Sequence, residues 1–234
     1  MKRRTWILIW GAWFLIFGLV LIFSPQPGSR PVSSRTRCIN RLRNISLALE
    51  NYHDKHGTFP PLWVVDEDGK PLYSWRVLML PYLDLKPLYD LYNLDEPWDS
   101  PHNLQYSQLD IWAFKCPDNE HGSATTNYVA VRSKHGPWRG ADPVSRDELT
   151  DMPEEAILLV EQHGEKIHWA EPKDLDLTTL PLHINDASGH GIGSLHSDGA
   201  NVALLKNGRV EFLKDSLSGA ELAKRLGGES GASH

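Results

Sequence analysis

Residues 38–61 read CINRLRNISLALENYHDKHGTFPP. Cys38, Leu42, Ile45, Leu49 and Tyr52 recur at alternating four- and three-residue steps, which lays them along one stripe of an α-helix. Arg41, Arg43, Asn44 and Glu50 fall mostly off that stripe. Gly57 admits the left-handed turn that ends a helix, and Pro60 and Pro61 prevent its resumption. The spacing predicts an amphipathic helix of about five turns that lies on an apolar surface. Core packing alone accounts for such a stripe, with no chemistry required of it.

The chain has 234 residues, 41% of them hydrophobic, enough for one domain with a sizeable core plus appendages. Its net charge of −6 is unevenly spread. Lys2, Arg3, Arg4, Arg30, Arg35, Arg37, Arg41 and Arg43 put +8 and no acid into residues 1–43, so the remainder carries −14. A basic arm and an acidic body suit a protein held near an anionic lipid surface. They exclude nucleic-acid binding by the body, which would need a basic footprint.

Thr5–Phe23, TWILIWGAWFLIFGLVLIF, is nineteen residues without a charge. As a helix it spans roughly 28 Å, close to the hydrocarbon thickness of a bilayer. Trp6, Trp10 and Trp13 lie toward its basic end, as interfacial aromatics do. A cleaved signal peptide would have a shorter apolar region and a small-residue cleavage site, so an uncleaved anchor is expected. Lys2–Arg4 place the N-terminus in the cytoplasm and the body outside, although five arginines follow the anchor. The organisation read from the chain is a basic tail over 1–4, a transmembrane anchor over 5–23, a Pro- and Ser-rich linker over 24–37, an α+β domain over 38–228 and a tail over 229–234.

Within the body, Ser74–Tyr92 reads as two short helices split by Pro81. In the following segment, Asp99 or Ser100 is a ready N-cap with Pro101 behind it. Asp95, Glu96 and Asp99 are either turn and capping residues or oxygen donors to a hard cation, without the alternating ligands of a known calcium loop. Tyr128–Val131 and Ala156–Glu161 are strand-like, and Lys134–Asp151 between them is read as a surface loop. His168, Glu171 and Asp174 resemble an acid–base set, but no nucleophile with a positioned base accompanies them. His183, His190 and His196, with Asp186 and Asp198 among them, lie in a glycine-rich segment. They form either a polar loop or a zinc or copper site, on which an anchored ligand- or metal-binding module or a metal-dependent hydrolase would be built. Ala200–Leu213 is a hairpin signal, with Asn207-Gly208 as a type I′ pair. Pairing about that turn puts Ala203 and Leu205 on one face with Val210 and Phe212, and sets Lys206 opposite Arg209. Ser218–Glu221 is a capping box for a helix through Leu226, stopped by Gly227-Gly228.

Cys38 and Cys116 are the two cysteines. They are too few for a disulfide scaffold or a zinc cluster and enough for one bridge outside the cytosol, the alternative being two separate buried thiols.

Five blocks in this order carry a resemblance. They are Cys38, Asn40, His53-Asp54, Gly57 and Phe59-Pro60-Pro61; Asp95–Asn103; His168–Leu175; His196 to Asn207-Gly208; and Gly227-Gly228-Glu229. Together they resemble a planctomycete family of pilin-like, major-pseudopilin-related proteins of unknown function. That family's C-terminal signature is a His, nine residues, then Asp-Gly. Here ten residues separate His196 from Asn207, and Asn stands for Asp. Gly199 and Asn201 lie inside the signature. The family's prepilin cleavage motif is absent, and Pro25, Pro27 and Pro31 break the run from the apolar segment into the Cys38 helix. The resemblance implies a Cys at both positions 38 and 116. It also implies a pilin-like α+β domain with the Cys38 helix packed on an antiparallel sheet that holds the Asn207-Gly208 hairpin. The expectation is a single-pass inner-membrane protein with an extracytoplasmic body, without catalytic residues or a cofactor. Its partners would be the lipid bilayer and other envelope or secretion-system proteins.

Overall fold

Ser33 opens the first helix by accepting the Thr36 N–H on its Oγ at 3.2 Å, satisfying one of the donors a helix start leaves unpaired. Helix α1 then runs Ser34–His56, 23 residues. It therefore begins four residues before Cys38, inside the stretch read as linker. Gly57, at φ 77°, donates to the His53 carbonyl and ends it. Cys38, Leu42, Ile45, Ala48 and Leu49 are buried along the stripe, and Tyr52 is partly buried against the same core. The structure, a computed structural model, describes residues 33–117 and 122–228. Among them no helix is long and apolar enough to cross a membrane. The tail at 1–4, the apolar run at 5–23, linker residues 24–32 and the tail at 229–234 lie outside the described residues.

The architecture is mixed α and β. Strands β3 (Tyr128–Val129), β5 (Ile157–Glu161), β7 (Gly199–Leu204) and β8 (Val210–Lys214) form an antiparallel sheet in the order β3-β5-β7-β8. Helix α1 packs against β5, β7 and β8. Leu42, Ile45 and Leu49 meet Leu159, Ala203 and Leu205 in a core that also holds Trp75, Trp138 and Trp169. The opposite face is covered by a second cluster, in which Ile157, Val160, Val202 and Leu213 meet Ile184, Ile192, Leu222 and Leu226. With both faces covered, all six residues of β7 are buried, which is why GANVAL reads as a continuous run rather than an alternation. Leu222 sits on the last helix, α5 (Gly219–Arg225), whose start is capped by the Ser218 Oγ on the Glu221 N–H.

Two smaller pairings flank this body. Strands β1 (Trp63–Val65) and β2 (Pro71–Ser74) make an antiparallel hairpin, with Asp66 Oδ1 accepting the N–H groups of Asp68 and Lys70 in its turn. Strand β4 (Val131–Arg132) pairs in parallel with β6 (Leu175–Asp176). Helices α2 (Trp75–Met79) and α3 (Lys86–Tyr89) are separated by a 3-10 turn that contains Pro81, as the pattern predicts. A last short helix, α4, spans Leu104–Ser107.

Two sequence expectations need correction. Lys134–Asp151 is not a surface loop. Trp138, Val144 and Leu149 in it are buried, and the Trp138 indole N–H donates to the Leu158 carbonyl at 2.7 Å. Its backbone holds the segment after α1, because Val144 accepts from Phe59 at 2.8 Å and Gly140 from Leu62 at 2.7 Å. Turn-forming composition hid a segment whose few large apolar residues enter the core. The β7–β8 register also differs. Ala203 opposes Val210, and the Leu204 N–H bonds the Arg209 carbonyl, so four residues, Leu205–Gly208, make the turn. Gly208 takes φ 61° and Asn207 does not take a positive φ. The cause is Leu205, which is buried and donates to the Ala156 carbonyl at 2.8 Å instead of joining the ladder with β8. The shift is two residues, so each side chain keeps its face. Lys206 no longer opposes Arg209; it pairs with Glu154 at 3.0 Å.

Candidate functional site

A buried polar cluster lies where β5 ends, β7 begins and α1 starts. Glu161, the last residue of β5, is 2% exposed. Its Oε2 accepts two hydrogen bonds from Asn201 of β7, from the backbone N–H at 2.8 Å and from Nδ2 at 2.9 Å. That clamp turns Oε1 toward His196, whose Nε2 is 3.9 Å away. His196 is held in the approach to β7 by its N–H on the Ser194 Oγ at 3.0 Å, and the same hydroxyl donates to the Gly199 carbonyl at 2.7 Å. Gly199 allows the close approach of β7 and β8, since a Cβ there would lie 2.0 Å from the Leu213 carbonyl oxygen.

Cys38 and Cys116 are joined by a disulfide across 78 residues, with Cα atoms 5.1 Å apart. The bridge ties the second turn of α1 to the segment before β3. Around it the Tyr128 hydroxyl donates to the Cys38 carbonyl at 3.2 Å. Asn127 accepts the Cys116 N–H at 2.9 Å and donates to the Gln162 carbonyl at 3.0 Å. The sulfurs, a Glu161 oxygen and a His196 nitrogen all lie within 4.8 Å of one another, and this is the one such group of His, Cys, Asp and Glu ligand atoms among the described residues. A cavity of about 10 Å³ opens beside it, lined by Cys116, Asn127, Gln162, His163 and Gly193 among others. That is room for about one water. Gln162 Oε1, His163 Nδ1 and Asn201 Oδ1 are buried without a hydrogen-bond partner among the described residues.

The other candidate residues are placed elsewhere. His183 is exposed. His190 is 69% exposed and 3.3 Å from Glu165, so the three histidines of the glycine-rich segment do not share one cluster. Asp186 caps a turn through the Ser188 N–H at 2.9 Å, and hydrogen bonds from Ser188 hold its carboxyl below the usual range. Asp198 takes φ 69° in the approach to β7. Asn207 and Gly208 form the far end of the β7–β8 hairpin, so the signature from His196 to Gly208 brackets one strand rather than one site.

The Asp95–Asn103 block is organised by Asn103, which is fully buried. Its Oδ1 accepts the Asn93 N–H, and its Nδ2 reaches the carbonyls of Asn93, Glu96 and Pro97. Glu96 accepts from the Asn93 side chain. Ser100 Oγ accepts the Asn103 N–H, and helix α4 starts later than Pro101. Asp95, Glu96 and Asp99 do not gather as metal ligands among the described residues. Asp95 instead borders a cleft of about 530 Å³ with Asp66, Glu67 and Tyr73.

In the His168–Leu175 block, Asp174 is buried against Arg76, with Nη2–Oδ1 at 2.5 Å and Nη1–Oδ2 at 3.3 Å. Asp174 also accepts the Ala130 N–H at 2.8 Å. Arg76 also donates from Nε to the Tyr128 carbonyl and from Nη1 to Ser74 Oγ. Burial pushes the Asp174 carboxyl up against the opposing pull of Arg76. His168 packs against Trp98, the ring centroids 4.5 Å apart and the planes tilted by 40°, and accepts the Ala170 N–H on Nδ1 at 3.2 Å. Burial, then the Arg76 charge, lower its pKa to about 4. Glu171 accepts the His168 N–H at 3.4 Å. The block is a structural clasp. Glu161, Asn127, Gln162 and Arg76 are the residues a pattern reading passes over. The available signal for Glu161 was a carboxylate closing a run of apolar strand residues.

Comparison with protein families matches residues 29–164 to the family described as "Protein of unknown function (DUF1559)". No curated protein and no solved structure matches the chain.

Proposed function

The chain belongs to the DUF1559 family of proteins of unknown function, and from that premise we propose that it is a membrane-anchored, extracytoplasmic envelope protein of pseudopilin-like type, a structural or assembly component rather than an enzyme. The Cys38–Cys116 disulfide carries this reading, because such bridges persist in oxidising compartments and are rare in the cytosol. The uncharged run at 5–23 and its basic flank supply the anchor. The long helix on a four-stranded antiparallel sheet supports the pilin-like part. Its partners are then the bilayer and other envelope or secretion-system proteins. The non-enzymatic part is supported by where the chemistry-bearing residues of the Asp95–Asn103 and His168–Leu175 blocks are used: Asp174, His168 and Asn103 are all committed to internal hydrogen bonds.

Protease added to spheroplasts tests the topology. The body after residue 33 is expected to be degraded without lysis, and protection until lysis would reverse the orientation and remove the extracytoplasmic reading.

A further inference from the structure

We propose that, when its disulfide is reduced, this protein binds one zinc ion between Cys38, Cys116, Glu161 and His196. The four side chains come from four parts of the chain, α1, the segment before β3, the end of β5 and the approach to β7, and their ligand atoms already lie within 4.8 Å of one another. Cys38, Cys116 and Glu161 are buried, and the His196 side chain is 8% exposed. Two thiolates, an imidazole and a carboxylate are a tetrahedral zinc set, with Zn–S of about 2.3 Å and Zn–N or Zn–O of about 2.0–2.2 Å. Such bond lengths put neighbouring N and O ligands about 3.4 Å apart. The Glu161 Oε1 to His196 Nε2 distance of 3.9 Å is therefore near the required edge. Opening the S–S bond lets the two sulfurs separate to the wider S···S edge of the same tetrahedron.

The surroundings are those of a supported ligand set. Asn201 holds Glu161 by its other oxygen with two hydrogen bonds, Ser194 fixes the backbone of His196, and Asn127 fixes that of Cys116. Partners of this kind orient ligands and raise metal affinity. The adjoining cavity is lined by Gln162, and the Gln162 and Asn201 side-chain oxygens are buried without a hydrogen-bond partner among the described residues.

The chemistry balances with a dithiol as reductant. The dithiol gives two electrons and two protons to the Cys38–Cys116 bond and becomes a disulfide, leaving two thiols. Zinc then displaces both thiol protons and binds the thiolates with neutral His196 and ionised Glu161. The metal would hold the start of α1 to Cys116 in place of the covalent bond. The donor set differs from a His183/His190/His196 site, and the proposal does not depend on where the protein resides.

The test uses the full-length chain in detergent, oxidised or reduced by a dithiol, then equilibrated with zinc and freed of excess. The reduced chain is expected to retain one zinc and the oxidised chain none. Cobalt on the reduced chain should give a thiolate-to-cobalt charge-transfer band. Glu161→Gln keeps an acceptor for Asn201 and is expected to weaken zinc at least about tenfold, as is His196→Ala, while His183→Ala and His190→Ala leave affinity unchanged. Circular dichroism of each sample reports the fold. No zinc on a folded reduced chain overturns the proposal. So does equal zinc on the oxidised chain, unchanged affinity in folded Glu161→Gln, or a reduced chain that stays unfolded with zinc present.

Discussion

Asp174 and Arg76 show what one pair of residues does here. Each is buried, and each is satisfied by the other and by backbone groups. Removing one partner leaves an uncompensated charge in the core, so Asp174→Ala is expected to destabilise by about 3–5 kcal/mol. Urea unfolding measures this, and a loss under about 1 kcal/mol would show that the pair contributes little. His168 gives a pH dependence. Its pKa falls from 6.5 to about 4 in the folded chain, so between those values the unfolded state binds more protons. Stability is therefore full above about pH 6.5 and declines as pH falls toward 4. The ring is only partly buried, so the loss is roughly 1–2 kcal/mol after solvent screening. His168→Asn preserves an acceptor for the Ala170 N–H without the titration. Unfolding at about pH 7.5 and pH 4.5 should show a smaller pH difference in this variant than in the parent. Equal differences would assign the acid sensitivity to other groups.

At the scale of elements, the Cys38–Cys116 bridge fastens α1 to the segment before β3. The bridge closes a loop with a sequence separation of 78. On the chain-entropy account that constrains the unfolded state by about 4–5 kcal/mol, a large part of a typical margin of about 5–15 kcal/mol. Reduction in the absence of zinc is expected to lower the melting temperature by many degrees, and calorimetry with and without reductant reads it. Unchanged melting would mean that the Tyr128 and Asn127 hydrogen bonds hold the junction alone. The β7–β8 hairpin depends on close approach at its open end. Gly199→Ala places a Cβ against the Leu213 carbonyl, so β8 must move away from β7. A loss of roughly 1–3 kcal/mol is expected from this overpacking, whereas Gly191→Ala, whose Cβ would meet nothing closer than 3.6 Å, is the control.

For the whole molecule, the central prediction concerns attachment. If residues 5–23 are an uncleaved anchor, intact mass of the native protein will include them. A mature N-terminus between Ser24 and Ser34 would identify the run as a removed signal segment and the body as a released one. The body itself is a sheet covered on both faces, by α1 and the tryptophan cluster on one side and by α5 with the 180–192 segment on the other. This arrangement leaves β3 and β8 as the sheet's edges. Arg35 of α1 lies over Phe212 of β8, 3.5 Å from the ring centroid.

What the sequence determined by itself was local. The stripe from Cys38 to Tyr52, its Gly57 stop, the Ser218 cap of α5 and the faces of the β7–β8 hairpin all follow from periods of 3.6 and 2 and from turn chemistry within a few residues, whereas Glu221, read as the other half of a capping box, pairs with Arg225 instead. Of the five blocks that carry the resemblance, Cys38–Pro61 and Asp95–Asn103 lie inside the matched residues 29–164, and what that match shows is a family of unknown function. The tertiary structure decided everything that needed residues far apart in the chain. Leu205 left the β8 ladder because a core position and the Ala156 carbonyl were waiting for it. Trp138 entered the core from a segment with the composition of a surface loop. Glu161 met Asn201, His196 and the disulfide only when β5 and β7 paired, because hydrogen bonds across a sheet join positions that no short-range pattern relates.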